Sequence, residues 1–152
     1  MVDLSAVKDR IDELVAGHAD ALIAASHDIH SHPELGFHEH HAHDVLADVL
    51  ETAGLAVTRG AYDLPTAFEA RAGSGGPTIA VLCEYDALPG IGHACGHNII
   101  GTAGAGAGIA AATSIVHLSG SRSAADSSPP RSSQFSPTAP GPPPASPQGC
   151  DT

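Results

Sequence analysis

The chain has 152 residues, enough for one domain, and a formal net charge of −11 with only six Lys and Arg residues. Nucleic acid is therefore disfavoured as a partner, because phosphate contacts need clustered basic side chains. The charged N-terminus and the lack of a strongly apolar segment predict a cytoplasmic protein without membrane contact.

Two helices are predicted first. Apolar residues recur at helical spacing from Leu4 to Ile29, which predicts a long helix that ends before Pro33. A second apolar stripe runs over residues 42–50, and Gly54 stands where a helix C-cap is expected.

Strand patterns follow the second helix. Short strands are predicted at 55–58 and 67–72, and the apolar run TIAVLC at 78–83 is typical of a buried strand. A helix rich in Gly and Ala is then predicted from about 98 to 112, packed closely against the sheet; its glycines lack the spacing of a nucleotide-binding loop. This order of elements indicates an α/β layered domain.

The composition changes after Leu118. Residues 119–152 contain eight of the twelve prolines and no Leu, Ile, Val or Met. Such a segment buries too little apolar surface to offset the entropy lost on ordering. We therefore predict that residues 1–118 belong to a folded domain and that 119–152 form a disordered tail, which a frameshift in the gene would explain.

Candidate metal ligands are concentrated in the stretch EYDALPGIGHACGHN. Cys95 and His97 flank Gly96, which allows the backbone to bend, and thiolate and imidazole both bind zinc. Glu84 and Asp86 could orient a ligand histidine or bind a metal directly. The alternative interpretation is a buried cysteine and a hydrogen-bonded histidine beside a turn.

Three motifs then identify a family resemblance: HPELGFHE at 32–39, EYDALP at 84–89 and GHACGHN at 92–98. Together they resemble the metal-dependent amidohydrolases of peptidase family M twenty, in the branch of aminobenzoyl-glutamate hydrolases, indole-acetyl-amino-acid hydrolases and dipeptidases. The resemblance covers roughly residues 5–112. It implies the N-terminal part of a zinc-exopeptidase-like domain, with helices on a mixed sheet, and a homodimer in the full-length family.

The resemblance also implies roles for individual residues. Cys95 and His97 correspond to ligands of a divalent metal, zinc in the first place, with manganese or cobalt as alternatives. Asp86 corresponds to the active-site aspartate, and the substrates would be N-acyl amino acids or dipeptides. The residues expected around these ligands are Glu84, His93 and Asn98.

The family's general base lies in a Glu-Glu pair beyond the Cys-Gly-His motif. No Glu follows Glu84 in this sequence, so no general base is predicted within it. The expectation is a truncated chain that hydrolyses no amide by itself.

Histidines suggest a second function from another class. Seven of the eleven lie between residues 27 and 43, which is compatible with a His-rich metal-binding protein without catalytic activity. The simpler interpretation is that most of them, including His40, His41 and His43, are solvated surface residues.

Overall fold

A computed structural model describes residues 3–74 and 76–120 of the protein. The elements in this part are α1 (Leu4–Ser31), α2 (His40–Thr52), β1 (Val57–Arg59), a 3-10 turn (Ala61–Asp63), β2 (Phe68–Ala70) and α3 (His97–Gly120). They form an α/β structure, as the sequence predicts. None of the helices described is both long enough and apolar enough to cross a membrane. The predicted tail lies outside the described residues from 121 onward, so its disorder stays a prediction.

Helix α1 begins and ends where local chemistry directs it. The Asp3 carboxylate accepts the N–H of Ser5 at 3.0 Å and so caps the first turn. At the other end, the N–H of His32 donates to the Ile29 carbonyl at 3.1 Å. Pro33 has no N–H to continue the helix. The predicted end before Pro33 is confirmed.

Helix α2 closes with the cap that the sequence indicates. Gly54 has a φ of +89°, in the left-handed region that favours glycine. Its N–H donates to the Glu51 carbonyl at 2.9 Å, and the N–H of Leu55 donates to the Leu50 carbonyl at 3.0 Å. These bonds satisfy carbonyls that the end of the helix would otherwise leave without partners.

The sheet is smaller than expected. Strands β1 and β2 pair antiparallel, with Val57 opposite Ala70, so the mixed sheet implied by the family is not found in the described part. The predicted strand at 78–83 is wrong: it has no strand assignment there, and Ile79 is 87% exposed. A buried strand needs neighbours that satisfy its backbone and cover both faces, and neither β1 nor β2 pairs with this segment.

The core lies between the three helices. Ile29 from α1, Leu46 from α2 and Ile109 from α3 are almost fully buried. The glycines of α3 allow close approach, because a Cβ at Gly101 would lie only 3.1 Å from Leu46 Cδ1. The predicted helix from about 98 to 112 is therefore confirmed, but it packs mainly against α1 and α2 and not against a sheet.

Candidate functional site

The three sequence motifs converge in space. Leu35 forms a parallel bridge with Ala87, and the N–H of Ala87 donates to the Glu34 carbonyl at 2.7 Å. A second bridge, between Leu88 and Gly92, folds the start of GHACGHN back onto EYDALP. Backbone hydrogen bonds thus hold the two motifs of the candidate site against the turn that follows α1.

His97 lies at the centre of the candidate site. Its Nδ1 is 2.7 Å from Asp86 Oδ1, and its Nε2 is 3.4 Å from Glu84 Oε2. His97 is the first residue of α3, and Gly96 before it has a φ of +81°. The positive φ turns the chain from the loop into the helix, so that the imidazole faces the end of EYDALP.

Cys95 is less closely associated with these carboxylates. Its side chain is exposed, whereas His97 is mostly buried. Among the described residues, the group of three metal-ligand side chains whose donor atoms all lie within 4.8 Å is Asp28, His32 and His41, without Cys95. The structure therefore brings Glu84, Asp86 and His97 together and leaves the Cys95 thiol at the solvent-facing side of the loop.

His93 is buried beside this loop. Only 7% of it is exposed, and neither ring nitrogen has a hydrogen-bond partner in the described part of the chain. Burial lowers the pKa of His93, because the charged imidazolium loses its hydration, and His30 at a ring distance of 6.2 Å adds to this effect. His93 is therefore neutral near pH 7.

Asn98 has a role in packing α3 on α1. Its side chain is 5% exposed, and Nδ2 donates to Ser26 Oγ at 3.0 Å and to the Ser26 carbonyl at 3.2 Å. These contacts fix the start of α3, and therefore His97, relative to α1. The amide of Asn98 points towards α1 and away from the carboxylates that surround His97.

A small cavity adjoins Asp86, lined in part by Phe37. At its wall, Thr66 Oγ1 donates to Glu39 Oε2 at 2.8 Å, and the Tyr85 hydroxyl donates to the Thr66 carbonyl. Burial, with the nearby Glu39 carboxylate, raises the pKa of Tyr85 to about 12, so the phenol stays a neutral donor. Sequence reasoning missed Thr66 and Tyr85; Glu39 lies within HPELGFHE, the only signal for it.

The histidines of α2 do not share one environment. His40 is exposed, but His43 is only 5% exposed and packs edge-on against Phe68. The expectation that His43 is solvated is wrong, because it faces the same side of α2 as Leu46. His43 Nδ1 is 2.9 Å from Asp44 Oδ1.

Comparisons with known proteins show which enzymes the chain is similar to. No protein-family model matches it. It is 46% identical over 120 residues to the Xaa-Arg dipeptidase of Homo sapiens, a match over 70% of this chain and 28% of that protein. It is 38% identical over 117 residues to a p-aminobenzoyl-glutamate hydrolase component of Escherichia coli (strain K12), over 66% and 24%. The Xaa-Arg dipeptidase of Mus musculus is 40% identical over 117 residues, over 70% and 27%. The chain thus spans about a quarter of the length of these relatives.

Proposed function

The chain belongs to the metal-dependent amidohydrolases of peptidase family M twenty, and we propose that it contributes metal-binding residues to a site that hydrolyses amide bonds. The names of the relatives describe a dipeptidase and an aminobenzoyl-glutamate hydrolase. In both substrate types the bond to be broken joins an acyl group to an amino acid. We therefore propose dipeptides or N-acyl amino acids as the substrate class.

The contact between His97 and Asp86 carries the proposal. A carboxylate that accepts the N–H of one imidazole nitrogen fixes the tautomer and leaves the other nitrogen as a metal ligand. Here Asp86 Oδ1 is 2.7 Å from Nδ1 of His97, so Nε2 is the proposed ligand atom. The distance of 3.4 Å between Nε2 and Glu84 Oε2 suits a shared ion, because two ligands on tetrahedral zinc are about 3.3 Å apart.

Cys95 is the second proposed protein ligand, two residues before His97 in the same loop. Thiolate, imidazole and carboxylate together form a donor set that fits zinc, with cobalt or manganese as alternatives. When bound, such an ion polarises the amide carbonyl and acidifies water. Asp86 holds the His97 ring in place, and the adjoining cavity provides room for one end of a small substrate.

The general base implied by the family is not among the residues that follow Glu84. A positioned base contributes about 10²- to 10⁴-fold in rate. We therefore propose that the 152-residue chain by itself hydrolyses no substrate at an enzymatic rate. Homodimer assembly, a cytoplasmic location and the alternative of metal binding without catalysis stay predictions.

Cobalt binding tests the proposed ligands. Co²⁺ added to the chain is expected to give thiolate-to-metal absorption that Cys95→Ala abolishes. Cys83→Ala is the matched control, because Cys83 is a half-buried cysteine on the same segment as Glu84. Asp86→Asn should weaken binding by about 10- to 100-fold, the usual effect of losing a carboxylate behind a ligand histidine. Equal thiolate absorption in Cys95→Ala and Cys83→Ala would remove Cys95 from the site.

Turnover tests the remainder of the proposal. The chain is incubated with Xaa-Arg dipeptides, p-aminobenzoyl-glutamate and N-acyl amino acids, each with added Zn²⁺, Co²⁺ or Mn²⁺. The expected result is no hydrolysis above the metal-only control. Hydrolysis that disappears in Asp86→Asn would show that these residues already form a complete site, contrary to the proposed lack of a base.

A further inference from the structure

A second group of metal-ligand side chains lies between α1 and α2. Asp28 Oδ1 is 3.1 Å from Nδ1 of His32, and Asp28 Oδ2 is 3.1 Å from Nε2 of His41. The centroids of the two imidazole rings are 4.3 Å apart. One carboxylate thus stands between two histidines that are nine positions apart in the sequence.

Two different elements hold this group in place. Asp28 and His32 are four residues apart at the C-terminal end of α1, so their side chains lie on one face of the helix. His41 lies in the first turn of α2. The Glu34 carboxylate accepts the backbone N–H groups of His41 and Ala42, each at 3.0 Å, and so caps α2. The position of the His41 backbone therefore depends on Glu34 and not on its own imidazole.

The distances fit a metal ion. Ligand bonds of about 2.0–2.2 Å from imidazole and carboxylate to zinc place two tetrahedral ligands about 3.3 Å apart. Both distances from the Asp28 carboxylate are close to this value, and all three donor atoms lie within 4.8 Å of one another. A binding nitrogen must be deprotonated, so coordination through Nδ1 of His32 would replace the hydrogen bond that this ring can donate to the Asp28 carbonyl at 2.9 Å.

Exposure favours an accessible site with solvent ligands. The side chains of Asp28, His32 and His41 are 41%, 56% and 38% exposed. Three protein ligands leave the fourth tetrahedral position to water, and partial exposure allows an ion to enter. Imidazole ligands suit zinc, copper and nickel, whereas a site without sulfur has little preference for soft ions such as Cu(I).

We propose that Asp28, His32 and His41 form a divalent transition-metal site separate from Cys95 and His97. The two sites have no ligand in common, and this second site does not depend on the proposed hydrolytic function. It binds zinc, nickel or copper(II) through two imidazoles and one carboxylate.

The test uses the full chain with Cys95→Ala and His97→Ala, which removes the ligands of the proposed hydrolytic site. Calorimetric titration with Zn²⁺ or Ni²⁺ is expected to show a binding event that His41→Ala weakens by more than about tenfold, since even the loss of an outer partner costs 10- to 100-fold. His40→Ala is the matched control, being an exposed histidine one position away. Co²⁺ at this site should absorb without a thiolate band.

His32→Ala and Asp28→Asn supply independent checks in the same background. Each should weaken the binding event as His41→Ala does, while circular dichroism shows unchanged helix content because Glu34 still caps α2. The proposal is overturned if all three variants bind as tightly as His40→Ala, or if the background protein binds no Zn²⁺ or Ni²⁺ at millimolar concentrations.

Discussion

Replacing Gly104 by Ala should reveal how closely α3 approaches the segment that leads into the candidate site. A Cβ at this position would lie 2.5 Å from Cys83 Sγ and 3.2 Å from the Leu82 carbonyl oxygen. Favourable contacts between non-bonded heavy atoms lie at about 3.5–4.0 Å. Gly108 lies one helical turn further on, and a Cβ there meets nothing within 4 Å.

The two substitutions should therefore have different effects on the free energy of unfolding. Both gain about 1 kcal/mol from the higher helix propensity of alanine. Only Gly104→Ala also forces neighbouring atoms apart, which typically costs about 1–3 kcal/mol in a packed region. Gly108→Ala should stabilise the protein, and Gly104→Ala should range from neutral to destabilising by about 2 kcal/mol.

Urea and thermal unfolding, followed by circular dichroism, measure this difference. For a domain of 60–100 residues, 1 kcal/mol corresponds to about 4–8 °C in Tm, so the two variants should be clearly separated. Adding Cys83→Ala to Gly104→Ala removes the nearest atom and should recover part of the loss, as a double-mutant cycle would show. If Gly104→Ala is as stable as Gly108→Ala, the close packing of α3 on Leu82 and Cys83 is refuted.

Three further predictions concern side-chain chemistry. Burial raises the pKa of the Cys83 thiol, so at pH 8 iodoacetamide should alkylate the exposed Cys95 well before Cys83, and peptide mass spectrometry showing the reverse order would contradict this. Arg59 contacts three carboxylates of α2 from a largely solvated position, so Arg59→Ala should lower Tm at low salt, by an amount that shrinks in 1 M NaCl. Because burial lowers the pKa of His93, the unfolded chain takes up this proton first as pH falls below about 6.5, and folding stability should decrease there. His93→Asn, measured with EDTA present, should lose less Tm than the unchanged chain between pH 7.5 and 5.5; an equal loss would assign the effect to other groups.

Local sequence determined the helices and their ends. The apolar spacing of α1 and α2, the proline after α1 and the glycine after α2 act within one or two helical turns, so they can be interpreted without knowing the tertiary structure. The same holds for Gly96, whose positive φ turns the loop into α3. The motifs around His97 were likewise evident from residue types and spacing alone.

Tertiary structure decided the features that depend on distant partners. Residues 78–83 have the composition of a buried strand, but a strand is stable only where neighbouring strands satisfy its backbone, and the described part of the chain supplies none there. Asn98 contacts Ser26 across 72 positions, and His41 contacts Asp28 across 13. Periodicity places a side chain on a face of its own helix, but only the packing of one helix on another determines what that face meets.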